Sequence, residues 1–360
     1  MKKLLKVLLI LIILGCVCAG GAFGLYKYML TAPSKSDETV NIYIDKGSSY
    51  NKIAGLLKEN GLIRNEYAYK IYLKFNEPKK LEYGDYIIKQ NLSVEELIKV
   101  LEEGSTSLAT TKKITFVEGK NMRYVIKKIT ESFPNIKEED ILNKLKDTEY
   151  LDKIINKYLF LTDDIKNDKL YYSLEGYLYP DTYEFYETAG IEDIFNAMLD
   201  NMHKKLKDYK EEIEKSNRSV HEMITLASII ELEAGKADDR KGVAGVFYNR
   251  LADNWSLGSD VTTYYAAKVD LSDRDLYKSE INECNDYNTR NTCMAGKLPV
   301  GPICNPSINS LIAAFEPTDH DYYYFVADKN GKTYFNETYS GHEKTVAQLK
   351  KDGLWYEYDN

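Results

Sequence analysis

Between Val220 and Ala234 apolar side chains fall on every side of a helix. Val220, Met223, Ile224, Leu226, Ala227, Ile229, Ile230 and Leu232 leave it no wholly polar face. Such a helix cannot lie on a surface, so the rest of the chain must wrap around it. Gly235 is the expected stop. Two carboxylates occupy the last turn. On helical spacing Glu231 stacks over Ile224, Ala227 and Ser228, and Glu233 over Leu226, Ile229 and Ile230. Both neighbourhoods are apolar, and burial there favours the neutral carboxyl that a general acid needs. Two readings stand open at this point: a structural glutamate paired with Arg240 or Arg250, or an acid that does chemistry. Spacing alone does not choose between Glu231 and Glu233.

The 360 residues suffice for two or three domains, and a net charge of −8 with interspersed signs offers no basic stripe. No nucleic-acid partner is expected. Lys2, Lys3 and Lys6 precede Val7 to Tyr26, an uncharged run of about 20 residues, roughly the 30 Å of a bilayer core at helical rise. With only Lys27 close behind, the lysine bias predicts a single membrane span, the N-terminus cytoplasmic and everything after residue 30 outside. A cleaved signal peptide ending in Ala19 to Ala22, or a lipid anchor at Cys16, are the rival readings. Cys284, Cys293 and Cys304 remain in the exported part with no histidine at ligand spacing, so neither a metal site nor a cofactor is expected. A bridge between Cys284 and Cys293 is left open. The 31 tyrosines suit sugar stacking and ordinary packing equally.

Residues 1–30 thus form a cytoplasmic tip and anchor, and 31–39, with Pro33, Ser34 and Ser36, a polar linker. Val40 to Ile44 alternates like a strand, turns at Asp45 to Ser49, and continues at helical spacing through Ile53, Leu56 and Leu57. A second helix is expected over Glu66 to Phe75, a strand over Leu81 to Ile88, and a helix opened by a Ser93 capping box, closing a module over 40–108. Residues 109–360 form the second, larger domain, where Ile114 to Asn121, including Val117-Glu118-Gly119, echoes the first strand and turn.

Several stretches are rich in residues that an ordinary surface does not need. Glu175 to Tyr183 combines Pro180, Gly176, Asp181 and three tyrosines, reading either as a binding loop or as a strand and turn in which Asp181 satisfies local donors. Asn249-Arg250, Leu257 to Tyr265, Tyr287 to Thr289 and the Gly/Pro-rich Gly296 to Pro306 follow, the last read as a shaped groove wall. A hairpin over Tyr322 to Asn336 and a helix from His342 to Lys351 end the chain.

Read together, these motifs resemble the YceG-like endolytic murein transglycosylase family along nearly the whole chain. The carriers are Glu175 to Tyr183, Leu226-Ala227-Ser228-Ile229-Ile230-Glu231, Asn249-Arg250-Leu251, Ser259-Asp260 with Thr262 and Tyr265, Tyr287-Asn288-Thr289, and Leu298 to Pro306. The resemblance implies an α+β protein: an N-terminal transmembrane helix, a small LysM-like α/β module and a mixed α+β catalytic domain. It implies Glu231, not Glu233, as the catalytic acid. As substrate-binding residues it implies Glu175, Tyr179, Asp181 and Thr182, then Asn249 and Arg250, Ser259, Asp260, Thr262 and Tyr265, and Tyr287, Asn288 and Thr289. The implied reaction cleaves the bond between N-acetylmuramic acid and N-acetylglucosamine within peptidoglycan strands, leaving 1,6-anhydro ends and terminating nascent strands. Implied partners are glycan strands, the membrane and cell-wall synthases. Val261, Thr333 and Gly341-His342-Glu343 depart from the family pattern, which leaves the roles of the Thr333 and His342 region open. Two rivals are carried forward: a hydrolytic muramidase using Glu231 with Asp260, and a non-catalytic scaffold.

Overall fold

The alternation in Thr39–Ile44 (β1) turns Ile42 and Ile44 inward, and Gly84–Lys89 (β2) pairs with it antiparallel, from Thr39 opposite Lys89 to Ile44 opposite Gly84. The computed structural model describes residues 20–36, 38–79, 81–104, 111–187 and 189–355. It divides into two units, Met1–Thr111 and Lys112–Asn360. In the first, Ala54–Glu59 (α1), Glu66–Phe75 (α2) and Val94–Glu102 (α3) cover the β1/β2 pair and bury Leu57, Tyr69, Tyr86, Leu97 and Leu101. Ser93 and Glu96 form the expected capping box on α3. Arg64 ties Thr31 and Ala32 to this unit, 3.2 Å to Thr31 Oγ1 and 2.6 Å to the Ala32 carbonyl. The span expected over Val7 to Tyr26 falls largely on residues 1–19, outside the described residues. Among the described residues no helix is long and apolar enough to cross a membrane.

The boundary falls at the first residue of Thr111–Thr115 (β3), and the second unit continues with Met122–Ser132 (α4), Glu138–Lys144 (α5) and Thr148–Lys157 (α6). Thr182–Tyr186 (β4) pairs with β3. Ile191–Leu206 (α7), Lys210–Lys215 (α8), Val220–Glu233 (α9), Arg240–Ala252 (α10), Asp260–Ala266 (α11) and Lys278–Asn282 (α12) follow. Ile308–Phe315 (α13), the antiparallel hairpin Tyr324–Ala327 (β5) and Thr333–Asn336 (β6), and Tyr339–Lys351 (α14) complete it. The architecture is α+β, as expected.

The centre of this unit is α9. Every residue from His221 to Ile230 except Glu222 is buried, and α10, α11 and α13 pack around it. Ser219 starts the helix through a capping box with Glu222. The expected glycine stop does not form: Ala234 leaves the helix extended (φ −95°, ψ 109°), and no left-handed glycine follows directly. Cys284 and Cys293 are bridged, with Cα atoms 6.2 Å apart, while Cys304 is free and buried.

Segment 175–183 is turn and then the start of a strand, the second of its two expected readings, with Asp181 Oδ1 accepting from the Thr182 amide at 2.7 Å. Leu174 and residues 175–180 are buried, the chain turning as far as Tyr177 before it reaches β4. Gly176 makes this packing feasible, because it sits at φ +83° and a Cβ there would lie 2.3 Å from Pro302 Cβ and 3.2 Å from Ile224 Cγ2. Gly176→Ala is expected to cost more than about 2 kcal/mol, combining left-handed strain with a backbone-shifting clash. Urea denaturation of the pure variant checks it.

Candidate active site

Glu231 ends the buried stretch of α9 with its side chain only 6 % exposed. One carboxylate oxygen, Oε2, accepts from the Ser307 amide (2.9 Å), the Ser307 hydroxyl (2.6 Å) and the Ser310 hydroxyl (2.7 Å). The other, Oε1, accepts from Arg240 Nη2 at 3.1 Å, and Arg240 Nη1 donates to Ser307 Oγ at 2.6 Å. Ser307 is the N-cap of α13 and Ser310 lies in its first turn, so the carboxylate also sits where a helix presents unpaired N–H groups and the positive end of its dipole. The apolar neighbourhood expected around position 231 is therefore corrected. Helical spacing gives only the neighbours on α9, whereas α10 and α13 supply four donors. Arg240 is one of the two partners that the structural reading of Glu231 expected.

Glu233, roughly 200° round the helix from Glu231, has a different setting. Ser259 donates to it. Burial pushes its carboxyl upward, with the Asp260 charge adding to the effect. Burial thus favours the neutral form of Glu233.

A second wall approaches Glu231 from the turn before α4. A Cβ on Gly119 would stand 3.5 Å from Glu231 Cγ and 3.4 Å from Leu232 Cδ2. The turn is stitched to the loop that carries Ser307: Gly119 N donates to the Asn305 carbonyl (2.9 Å), Asn305 N to the Lys120 carbonyl (3.0 Å), and Leu178 N to Asn305 Oδ1 (3.2 Å). Glu118 on this turn is exposed. Burial of its inner part, then the charge on Glu231, pushes its carboxyl upward. Tyr179, buried, is pushed up to about 12 by burial and then by Glu118 and Asp181. Glu231, Arg240, Ser307, Tyr179 and Glu118 thus share one electrostatic neighbourhood.

The remaining residues with expected binding roles are engaged within the protein. Glu175 is buried and accepts from Met122 N (2.9 Å) and Tyr265 OH (3.0 Å), capping α4. Asn249 donates to the carbonyls of His320 (2.7 Å) and Tyr322 (3.0 Å), and Arg250 Nε to that of Tyr323 (2.8 Å). Thr262, Asn288 and Thr289 form a buried knot with Ser259 and Thr263: Thr289 N donates to Thr262 Oγ1 (3.0 Å) and Thr263 Oγ1 to Asn288 Oδ1 (2.7 Å). The Tyr287 ring packs tilted against Tyr171 and Tyr265, centroids 4.7 and 4.9 Å away. Exposed Asp260 pairs with Arg290 at 2.6 Å. Asp181 accepts from Asn201 (3.0 Å), and Thr182 meets Thr115 (2.8 Å) on the β4/β3 edge. Among the described residues no group of three or more acidic, cysteine or histidine side chains could hold a metal.

Residues 42–348 match the YceG-like family. The chain belongs to the YceG-like family. Among its relatives is a Bacillus subtilis (strain 168) protein named endolytic murein transglycosylase, 36 % identical over 330 residues, 90 % of this chain and 89 % of that protein. A Streptococcus pneumoniae (serotype 2, strain D39) protein of the same name is 31 % identical over 360 residues, 94 % of this chain but 64 % of its own length. A crystal structure of a YceG-like protein from Listeria monocytogenes superposes with a TM-score of 0.59 at 33 % identity, covering 86 % of this chain and all of that one.

In this YceG-like protein, sequence reasoning missed Glu118, Arg240 as a site residue, and the Ser307 and Ser310 pair. Val117-Glu118-Gly119 was visible as an echo of β1 and its turn. The signal that it faces α9 is tertiary. Thr333, where the family pattern is broken, is buried and donates its amide to Asp239 at 3.0 Å. His342 stacks on Tyr324, 5.8 Å between centroids.

Proposed function

We propose that this chain is an endolytic murein transglycosylase that cuts glycan strands of peptidoglycan internally, with Glu231 as its acid and base. The observation that carries the residue assignment is the set of four donors converging on one nearly buried carboxylate. Protonated Glu231 gives its proton to the glycosidic oxygen, and the bond from that oxygen to the muramyl C1 breaks. The carboxylate left behind is held by Arg240, Ser307 and Ser310, donors already in place when its charge forms. It then takes the proton of the muramyl C6 hydroxyl as that oxygen bonds to C1, leaving a 1,6-anhydro end and a reprotonated Glu231. No water is consumed.

The test is mass analysis of ends released from purified strands by the full-length protein. Anhydro ends are expected; hydrated reducing ends would replace this reading with a muramidase. In that hydrolytic case Glu118 is better placed than Asp260, which is occupied by Arg290 and lies on the Glu233 side of α9. Glu233→Gln is expected to keep cleavage within about tenfold of the parent, because the acid whose loss costs more lies on the other side of the helix. A collapse of activity there with Glu231→Gln still active would exchange their roles.

The order strand, helix, helix, strand in residues 39–89, with its antiparallel pair, supports a LysM-like module that binds or positions glycan. The lysine-flanked apolar run supports a single-pass anchor, an N-terminus in the cytoplasm and a catalytic unit outside. On that placement the substrate is nascent strand near the membrane and the partners are cell-wall synthases.

A further inference from the structure

A cavity of about 230 Å³ adjoins the reaction centre in the second unit, sharing Gly119 and Leu232 with the wall of Glu231. Its remaining chemistry comes from Lys120, Arg123, Tyr124, Tyr264, Tyr265 and Asp270. Three tyrosines give it flat amphipathic surface, and two cations face one carboxylate. That carboxylate is already committed: Asp270 Oδ1 accepts from Arg123 Nη2 and, at 3.2 Å, from Asn121 Nδ2.

Arg123 is fixed but not fully used. Its guanidinium lies 5.9 Å from the centre of the Tyr265 ring, and Tyr265 is itself anchored on Glu175. With Nη2 spent on Asp270, Nη1 is buried and has no hydrogen-bond partner. A buried N–H of this kind calls for an acceptor, and a planar guanidinium suits a carboxylate above other groups. Lys120 stands at the same cavity, 6.0 Å from the Tyr124 ring centre, and makes no ion pair among the described residues. Along the cavity wall itself two cations, Lys120 and Arg123, meet one carboxylate, Asp270.

We propose that this cavity is a subsite for a carboxylate of the peptide stem carried by the muramyl residue, held by Arg123 and Lys120 with the stem lying on Tyr124 and Tyr264. The inference rests on peptidoglycan being the substrate. It adds that the enzyme reads whether a strand bears peptides beside the bond it cuts. A neutral hexosamine would use the tyrosines but leave the excess charge and the Arg123 N–H without a matching group.

The experiment measures kcat/KM of the full-length protein on strands bearing stems and on the same strands stripped of them by an amidase. The parent is expected to prefer stem-bearing strands by about tenfold or more, the size of one charge-assisted contact of about 1.4 kcal/mol. In Arg123→Ala and Lys120→Ala the ratio between substrates falls towards one, mainly through KM, and Arg123→Lys recovers part of it. Titration calorimetry with a soluble acidic stem peptide gives a readout free of cleavage and folding artefacts: saturable binding to the parent, weakened in Arg123→Lys. Equal parental efficiency on both substrates, or equal losses on both in every variant, overturns the subsite while leaving the transglycosylase reading intact. Absence of cleavage on either substrate removes the transglycosylase reading itself, and failure of the stem peptide to bind then removes the subsite as well.

Discussion

Glu231→Gln lowers kcat for strand cleavage by about a thousandfold, the middle of the range for removing a group that acts as general acid and base. The substitution keeps the volume and removes the exchangeable proton. Its amide oxygen can still accept from the Ser307 amide and the two serine hydroxyls, which meet Oε2 at 2.6 to 2.9 Å. Its NH2 group then faces Arg240 Nη2, which stands 3.1 Å from Oε1, and two donors repel. The folded state therefore loses about 1–3 kcal/mol, the cost of stranding a charged donor, and thermal unfolding must accompany the kinetics. A folded Gln variant that digests strands at the parental rate would sink the assignment. Glu231→Asp keeps the proton but retracts it from Ser307 and Ser310, and falls between the two.

Glu175→Gln produces the second large effect, on stability. Burial pushes the Glu175 carboxyl from its ordinary 4.5 up to about 7, against the opposing bonds from Met122 and Tyr265. A carboxyl with a raised folded pKa stays neutral in the folded protein after the unfolded chain has ionised. Its contribution is therefore intact below about pH 4.5 and is lost as pH rises towards 7, with the full penalty above that. At about 1.4 kcal/mol for each pH unit separating the two states, the penalty is about 3 kcal/mol. A glutamine keeps one acceptor for Met122 N and Tyr265 OH and carries no charge. The variant should match the parent at pH 5 and melt on the order of 5 to 10 °C higher at pH 8. Parallel pH–stability curves for the two proteins would show that Glu175 is ionised throughout.

Much of the fold could be read locally. The all-round apolar pattern of α9, the capping box at Ser93 and the alternation of β1 depend on residues within a few positions of each other. The surroundings of Glu231 could not, because Ser307 and Ser310 lie 76 and 79 residues away and arrive on another helix. Position 231 therefore looked apolar from its own helix and is polar from its neighbours. Motif density misled in another way. Asn249, Arg250, Thr262, Asn288 and Thr289 are unusual for a surface because their polar groups bond each other and the backbone inside the protein. Buried polar groups must be paired, and a sequence displays the groups without their pairing. Glu118 shows the reverse, an ordinary-looking turn residue made notable by the helix it faces.

The two backbone bonds and the two side-chain bonds of Asn305 hold together the turn at Gly119 and Lys120, Leu178, and the loop whose next residues deliver Ser307 to Glu231. These segments are far apart in the chain, so the grip on Glu231 closes only after most of the second unit has folded. A nascent or partly unfolded chain carries the acid without its holders. A copy in which any of these segments is displaced lacks the donors that hold Glu231.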